Sequence, residues 1–171
     1  MFRWLALFLL IAGPAAAQSA LDAAAAFPPS IAGFERREVT DFENRPGGQG
    51  LGAAAEYRPR SGPGVATVYL YDRGRSAIGE AEVAEELTRA EAEARQIAQM
   101  RQFTIGPARP VAGLPGMRCL AFELSFPQQR ADSFACVGAW DGRFVKLRMT
   151  LPAAPGSETT MRQFLAELAA R

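Results

Sequence analysis

One dipeptide limits the fold more than any other feature. Asp141-Gly142 separates two strand-like runs, Phe134 to Trp140 (FACVGAW) and Arg143 to Met149 (RFVKLRM). Asp-Gly suits a type I′ turn, in which both central residues take positive φ. A two-residue turn fixes the register, pairing Trp140 with Arg143, Gly138 with Val145 and Cys136 with Leu147. Side chains alternate along a strand. Phe134, Cys136, Trp140, Val145, Leu147 and Met149 therefore share one face, and Phe144, Lys146 and Arg148 the other. The chain must contain an antiparallel sheet.

The remaining elements follow from periodicity. Ala53 to Arg58 and Val65 to Tyr71 (VATVYLY) flank the turn-dense Pro59 to Gly64 (PRSGPG) and read as a second hairpin. Arg118 to Phe126 (RCLAFELSF) alternates, with Leu120, Phe122, Leu124 and Phe126 facing one way. Phe34 to Phe42 reads as an outer strand, and Phe103 to Pro110 as a short extended piece. Glu80 to Met100 is the clearest helix: Val83, Leu87, Ala90, Ala94 and Ile97 recur at helical spacing. The stripe is thin and suits a helix lying on a sheet. Ser157 is placed to cap a closing helix striped by Met161, Phe164, Leu165 and Leu168. Together these predict an α+β fold. An antiparallel sheet of about five to seven strands is packed by one long central helix and a C-terminal helix.

The start of the chain reads as an address. Arg3 is the only charge before Asp22, and about nine apolar residues run from Trp4 to Ala12. Gly13-Pro14 and then Ala15-Ala16-Ala17 precede Gln18. This is the build of a secretory signal cut between Ala17 and Gln18. The apolar run is about half of the roughly 20 residues a spanning helix needs. The first cysteine is Cys119, so a lipid-anchored cysteine at the processed N-terminus is not expected. The expected organisation is a signal peptide over 1–17, a loose Ala-rich segment over 18–26, and a single α+β domain over 27–171. The expected location is the periplasm or the medium.

Composition narrows the chemistry. Without Arg3 the chain carries 18 basic and 18 acidic residues. It lacks the basic excess of a nucleic-acid binder. There is no histidine. That removes the commonest general base and metal ligand, and with them histidine-activated serine or cysteine nucleophiles. Two cysteines without histidine are too few for a structural zinc site. No cofactor, metal or catalytic residue is expected.

The order of elements resembles the PsbP-like α/β sandwich superfamily. The resemblance is carried by Phe27-Pro28-Pro29 with Gly33-Phe34, and by Gly50-Leu51-Gly52 leading into Glu56-Tyr57-Arg58. Val68-Tyr69-Leu70-Tyr71-Asp72 before the long helix and Gly142-Arg143-Phe144-Val145-Lys146 before the closing one complete it. It implies an accessory protein that acts by binding other proteins. The metal-binding histidines of some members have no counterpart here.

Four groups of residues are candidates for function. Cys119 and Cys136 are expected to form a disulfide in an oxidising compartment. Strict alternation sets Cys119 opposite Leu120 and Phe122 while Cys136 lies with Phe134 and Trp140, so a bulge near Gly116 or Arg118 is expected to bring the two together. Tyr57, Tyr69 and Tyr71 are expected to share a sheet face. Lys146 and Arg148 are expected to share another, and the aromatic patch of Tyr69 and Tyr71 beside these basic residues would make a binding face for a peptide, glycan or anionic ligand. Asp72 with Glu80 or Glu82 would offer paired carboxylates, although acids at a helix start also suit the dipole. The glycine-rich Gly47 to Gly52 lacks the ending of a phosphate cradle and reads as a flexible connection. The preferred expectation is a non-catalytic exported binding or accessory protein with an envelope partner. The alternatives are a small hydrolase using carboxylate, arginine and tyrosine residues in a sheet–helix cleft, and a small-ligand carrier with a cavity of about 300 Å³ or more.

Overall fold

The computed structural model describes residues 19–170, so the expected cut between Ala17 and Gln18 lies outside the described residues. The strands are β1 (Ser30–Ile31), β2 (Phe34–Asp41), β3 (Ala53–Pro59), β4 (Val65–Tyr71), β5 (Thr104–Ile105), β6 (Arg109–Val111), β7 (Arg118–Ser125), β8 (Arg130–Trp140) and β9 (Arg143–Pro152). The helices are α1 (Ala20–Ala25), α2 (Glu80–Arg101) and α3 (Ser157–Ala169). All strand pairs are antiparallel, in the order β1-β2-β3-β4-β9-β8-β7-β5, with β6 also on β7. The sheet therefore has nine strands among the described residues, not five to seven. The excess comes from β1, β5 and β6, two or three residues each, too short to show a period.

The β8–β9 hairpin has the expected register: Trp140 faces Arg143, Gly138 faces Val145 and Cys136 faces Leu147. Asp141 and Gly142 both take positive φ, 49° and 75°, as the turn type demands. This hairpin joins β4 through β9 and so ties the two halves of the sheet together.

The sheet is buried on both faces. One face packs under α1 and α3, where Val68, Phe134, Cys136, Val145, Leu147 and Met149 meet Met161, Phe164, Leu165 and Leu168. All four helix side chains are fully buried. Phe164 stacks edge-on against Phe34 and Tyr57, with ring centroids at 5.6 and 5.4 Å. The other face packs under α2, where Phe122, Leu124 and Ala135 meet Ala90, and Val137 and Phe144 meet Val83. The result is an α/β/α sandwich. The long helix is not central. It lies mainly over β8, β7 and β5, and reaches β4 and β9 through Val83, Glu86 and Glu93.

Two-sided burial also accounts for the cysteines. Cys119 and Cys136 are directly opposed in the β7–β8 ladder, Cα–Cα 4.1 Å, with sulfurs at the bonding distance of 2.05 Å. No bulge interrupts that pairing. Leu120, Phe122 and Leu124 face α2, so their opposite neighbour Cys119 already shares the α1/α3 side with Cys136. Both cysteines are buried, and Met161 Sδ lies 3.6 Å from Cys136 Sγ.

Two further expectations are corrected at the chain's ends. Residues 18–26 were expected to be loose, but Ala20–Ala25 are helical. The Ser19 hydroxyl accepts from Asp22 N–H, and Arg36 Nη1 donates to the carbonyls of Ala25 and Phe27, holding the C-terminal end. Ser157 does not cap α3. Gly156 takes that place at φ 98°, and the Ser157 hydroxyl donates back to Ala154 O.

Candidate functional site

β4 and β9 meet in the middle of the sheet, and their register assembles the site. Tyr69 opposes Lys146, Tyr71 opposes Phe144 and Thr67 opposes Arg148. All face α2. Of the expected binding face, Tyr69, Tyr71 and Lys146 are thus brought together, with Arg148 next along β9. Tyr57 is not part of it. It pairs with Ala66 on β4, points into the α1/α3 core, and its hydroxyl donates to Pro28 O.

Lys146, 6% exposed, lies over both rings, with Nζ 5.2 Å from the Tyr69 centroid and 5.1 Å from that of Tyr71. An ammonium buried this far needs anions. Two come from α2: Glu93 accepts from Nζ at 3.2 Å, and Glu86 lies 3.8 Å away. Glu86 is 2% exposed and sits on the helix's buried stripe between Val83 and Ala90. Its Oε1 accepts from the Tyr71 hydroxyl at 2.7 Å and Arg73 Nη2 at 3.0 Å, and its Oε2 from Arg73 Nε at 2.8 Å.

Arg73 reaches Glu86 because the chain turns sharply after β4. Asp72 accepts from Gly74 N–H at 2.7 Å, and Arg73 takes the left-handed conformation at φ 54°. Few non-glycine residues adopt it, and local hydrogen bonding is the usual support. A further support comes from the preceding loop, where Gly50 O accepts from Arg73 N–H at 2.8 Å.

That loop is folded, in contrast to the flexible connection expected. The Glu43 carboxylate accepts from Gly50 N–H at 3.0 Å and Gly52 N–H at 2.8 Å. The anion held by this glycine-rich backbone is the chain's own. Both glycines take positive φ, and a Cβ on either would collide with backbone, that of Arg73–Gly74 or of Leu70. The turn holds Leu51 outward, 44% exposed. Leu51, Phe42, Tyr69, Tyr71, Arg73, Glu93 and Lys146 line a cleft of about 260 Å³ that opens broadly to solvent.

Proton equilibria follow from these contacts. Burial pushes the Glu86 carboxyl up, but hydrogen bonds from Arg73 and Tyr71 and the charges of Arg73 and Lys146 together hold it below its ordinary value. Burial lowers the Lys146 ammonium, against the pull of Glu93 and Glu86. Tyr71 is raised by burial and by donating to Glu86. Tyr69 is raised, chiefly by burial. The site thus sets two basic side chains, Arg73 and Lys146, against two acidic ones, Glu86 and Glu93, beside two phenols whose ionisation burial opposes.

The carboxylates suggested by sequence have other partners. Asp72 shapes the turn before α2, Glu82 accepts from Gly79 N–H at the helix start, and Glu80 pairs with Arg118. A different acidic group forms on the opposite face. Glu123 and Asp132 are cross-strand neighbours, and with Glu158 and Arg109 they line a cleft of about 360 Å³ by the start of α3. Sequence reasoning missed Glu86, Glu93 and Arg73. The available signal was Glu86 itself, three residues after Val83 and four before Ala90 on the apolar stripe. Among the described residues, no group of three or more acids and cysteines is arranged to hold a metal ion, and no helix is long and apolar enough to cross a membrane. No family model matches the chain, and no curated protein matches it.

Proposed function

We propose that the chain is an exported, non-catalytic binding or accessory protein of the periplasm, and that it recognises its partner through the cleft between the Phe42–Leu51 loop and α2. One observation carries the reading: the charges beneath the cleft already neutralise one another. Both Glu86 oxygens are occupied by fixed donors, and a carboxylate so engaged is a poor proton acceptor. What remains at the mouth is a rigid aromatic, aliphatic and polar surface, the composition of a recognition site. The bonded cysteines support an oxidising compartment. The accessory role follows the PsbP-like resemblance in element order.

The test is a photo-cross-linking residue placed at Leu51, in cells, against the same residue at Met100, an exposed site at the far end of α2. The expected result is a discrete adduct from the periplasm at Leu51 alone, with a processed chain beginning at Gln18. Equal labelling at both positions, or an unprocessed cytosolic product, overturns the reading. A hydrolase reading is favoured by the cross-strand acids Glu123 and Asp132, since like charges so placed oppose folding. It requires hydrolytic turnover that Asp132→Asn abolishes.

A further inference from the structure

We propose that the cleft binds an apolar residue bearing a free α-carboxylate, with Arg73 as the carboxylate anchor. This rests on the binding reading above and names the ligand chemistry.

Arg73 is held as an anchor would be. Its Nε and Nη2 are committed to the buried Glu86, which fixes the guanidinium plane. Nη1 has no hydrogen-bond partner among the described residues, and the side chain, a quarter exposed, lines the cleft. Nη2 also donates to Glu93 Oε1 at 3.5 Å, so Nη1 is the donor left for a ligand, on a guanidinium already oriented by its carboxylate partners. Glu93 lies beside it, its Oε2 accepting from Lys146 at 3.2 Å, and being about one-third exposed it keeps lone pairs open to the cleft. An acceptor there suits the N–H that every α-carboxylate carries one carbon away, whether amide or ammonium. Donor and acceptor thus sit side by side, as the two polar groups of one terminal residue do.

The side chain has its own wall. Leu51 stands exposed between two glycines whose N–H groups are tied to Glu43. A leucine fixed outward in this way gains nothing for the core, and with Phe42 and Tyr69 it offers apolar contact to a guest. A cleft of about 260 Å³ lies just below the range of drug-sized pockets, so it suits one residue and not a longer segment. The cleft's own charges cancel, and nearby Arg148 and Arg45 are offset by Glu56 and Glu43, so the preference for a carboxylate rests on the Arg73 guanidinium that lines the cleft.

The source is a free amino acid or the C-terminal residue of a polypeptide, and calorimetric titration of the full chain separates them. The probes are phenylalanine, N-acetylphenylalanine and phenylalanine amide. Saturable binding of either acid, with the amide at least tenfold weaker, is expected. Preference for N-acetylphenylalanine identifies a polypeptide C-terminus, and preference for phenylalanine a free amino acid. Leu51→Asp, at an exposed position that leaves the fold intact, is expected to weaken binding at least tenfold. Arg73→Lys, which keeps the charge beside Glu86 but loses the fork, is expected to do the same. The proposal falls if the amide binds as well as the acids, if Leu51→Asp leaves binding unchanged, or if no probe binds at about 10 mM, well above the millimolar Kd of a weak ligand. A Leu51 cross-link found alongside any of these results preserves the binding reading and removes only this one.

Discussion

Removing the Glu86 carboxylate tests whether the cluster beneath α2 is an integrated unit. Glu86→Ala deletes the acceptor of the Tyr71 hydroxyl at 2.7 Å and both bonds from Arg73. The stranded hydroxyl alone costs about 1–3 kcal/mol. Lys146, 6% exposed, keeps Glu93 at 3.2 Å, and Arg73 is a quarter exposed and rehydrates in part. These two losses are therefore smaller than for sealed charges. The sum falls near the low end of the 3–5 kcal/mol seen when one partner of a buried pair is removed, about 3 kcal/mol. In urea this lowers the midpoint by about 1–3 M with little change in slope. It lowers Tm by roughly 6–12 °C for a domain of this size. The triple replacement Glu86→Leu, Arg73→Met, Lys146→Met removes the buried carboxylate together with both its cationic partners, leaving only Glu93, one-third exposed and able to hydrate, and is expected to return stability to within about 1 kcal/mol of the starting protein. A Glu86→Ala cost below about 1 kcal/mol would refute the reasoning, as would a triple variant no better than the single one. Either result would mean that water, not the protein, solvates these groups.

Three other measurements bear on the same structure. The Glu86 carboxyl is held below its ordinary value of 4.5, so its contribution is complete above that pH and is lost as pH falls through the lower folded value. The stability gap between the starting protein and Glu86→Gln should narrow in acid below about pH 4.5, and a gap that widens there contradicts the assignment. Replacing Cys119 and Cys136 by alanine opens a bridge between residues 17 apart and should cost about 3 kcal/mol by loop entropy, read from urea unfolding; a change under about 1 kcal/mol would count against it. Glu43→Gln leaves one acceptor for the two N–H groups of Gly50 and Gly52, so amide exchange at one of them should quicken by roughly tenfold. Unchanged exchange would mean that the turn holds itself.

The sequence was most legible where local chemistry dictates geometry. Asp141-Gly142 requires one turn type, that turn sets one register, and the register places every residue of β8 and β9 on its face. It was least legible where the outcome depends on what lies across the sheet. The apparent conflict between Cys119 and Cys136 came from assuming a single apolar face. Leu120, Phe122 and Leu124 need a cover of their own, and α2 supplies it. Tyr57 went to the wrong face for a related reason. The flanking Glu56 and Arg58 set it apart from their own side, but only the β3–β4 register, Tyr57 opposite Ala66, shows that this is the face away from Tyr69 and Tyr71.

The site shows the same division. Strand parity groups Tyr69 with Tyr71 and Lys146 with Arg148, but only the β4–β9 register brings the two pairs onto one face. Glu86 was missed, because the Glu85–Arg89 pair makes the surrounding helix look solvent-facing, and an acid among alanines seems surface-bound. Arg73 lay hidden in a turn whose backbone conformation no periodicity announces. Yet one rule connects them. Lys146 is the chain's sole lysine and it sits on the inward face of a central strand. A buried ammonium demands carboxylates, and α2 has the helix face to deliver them. Glu86 and Glu93 are seven residues apart, two turns of one stripe, so the single misplaced-looking base on β9 already implied both acids on the helix above it.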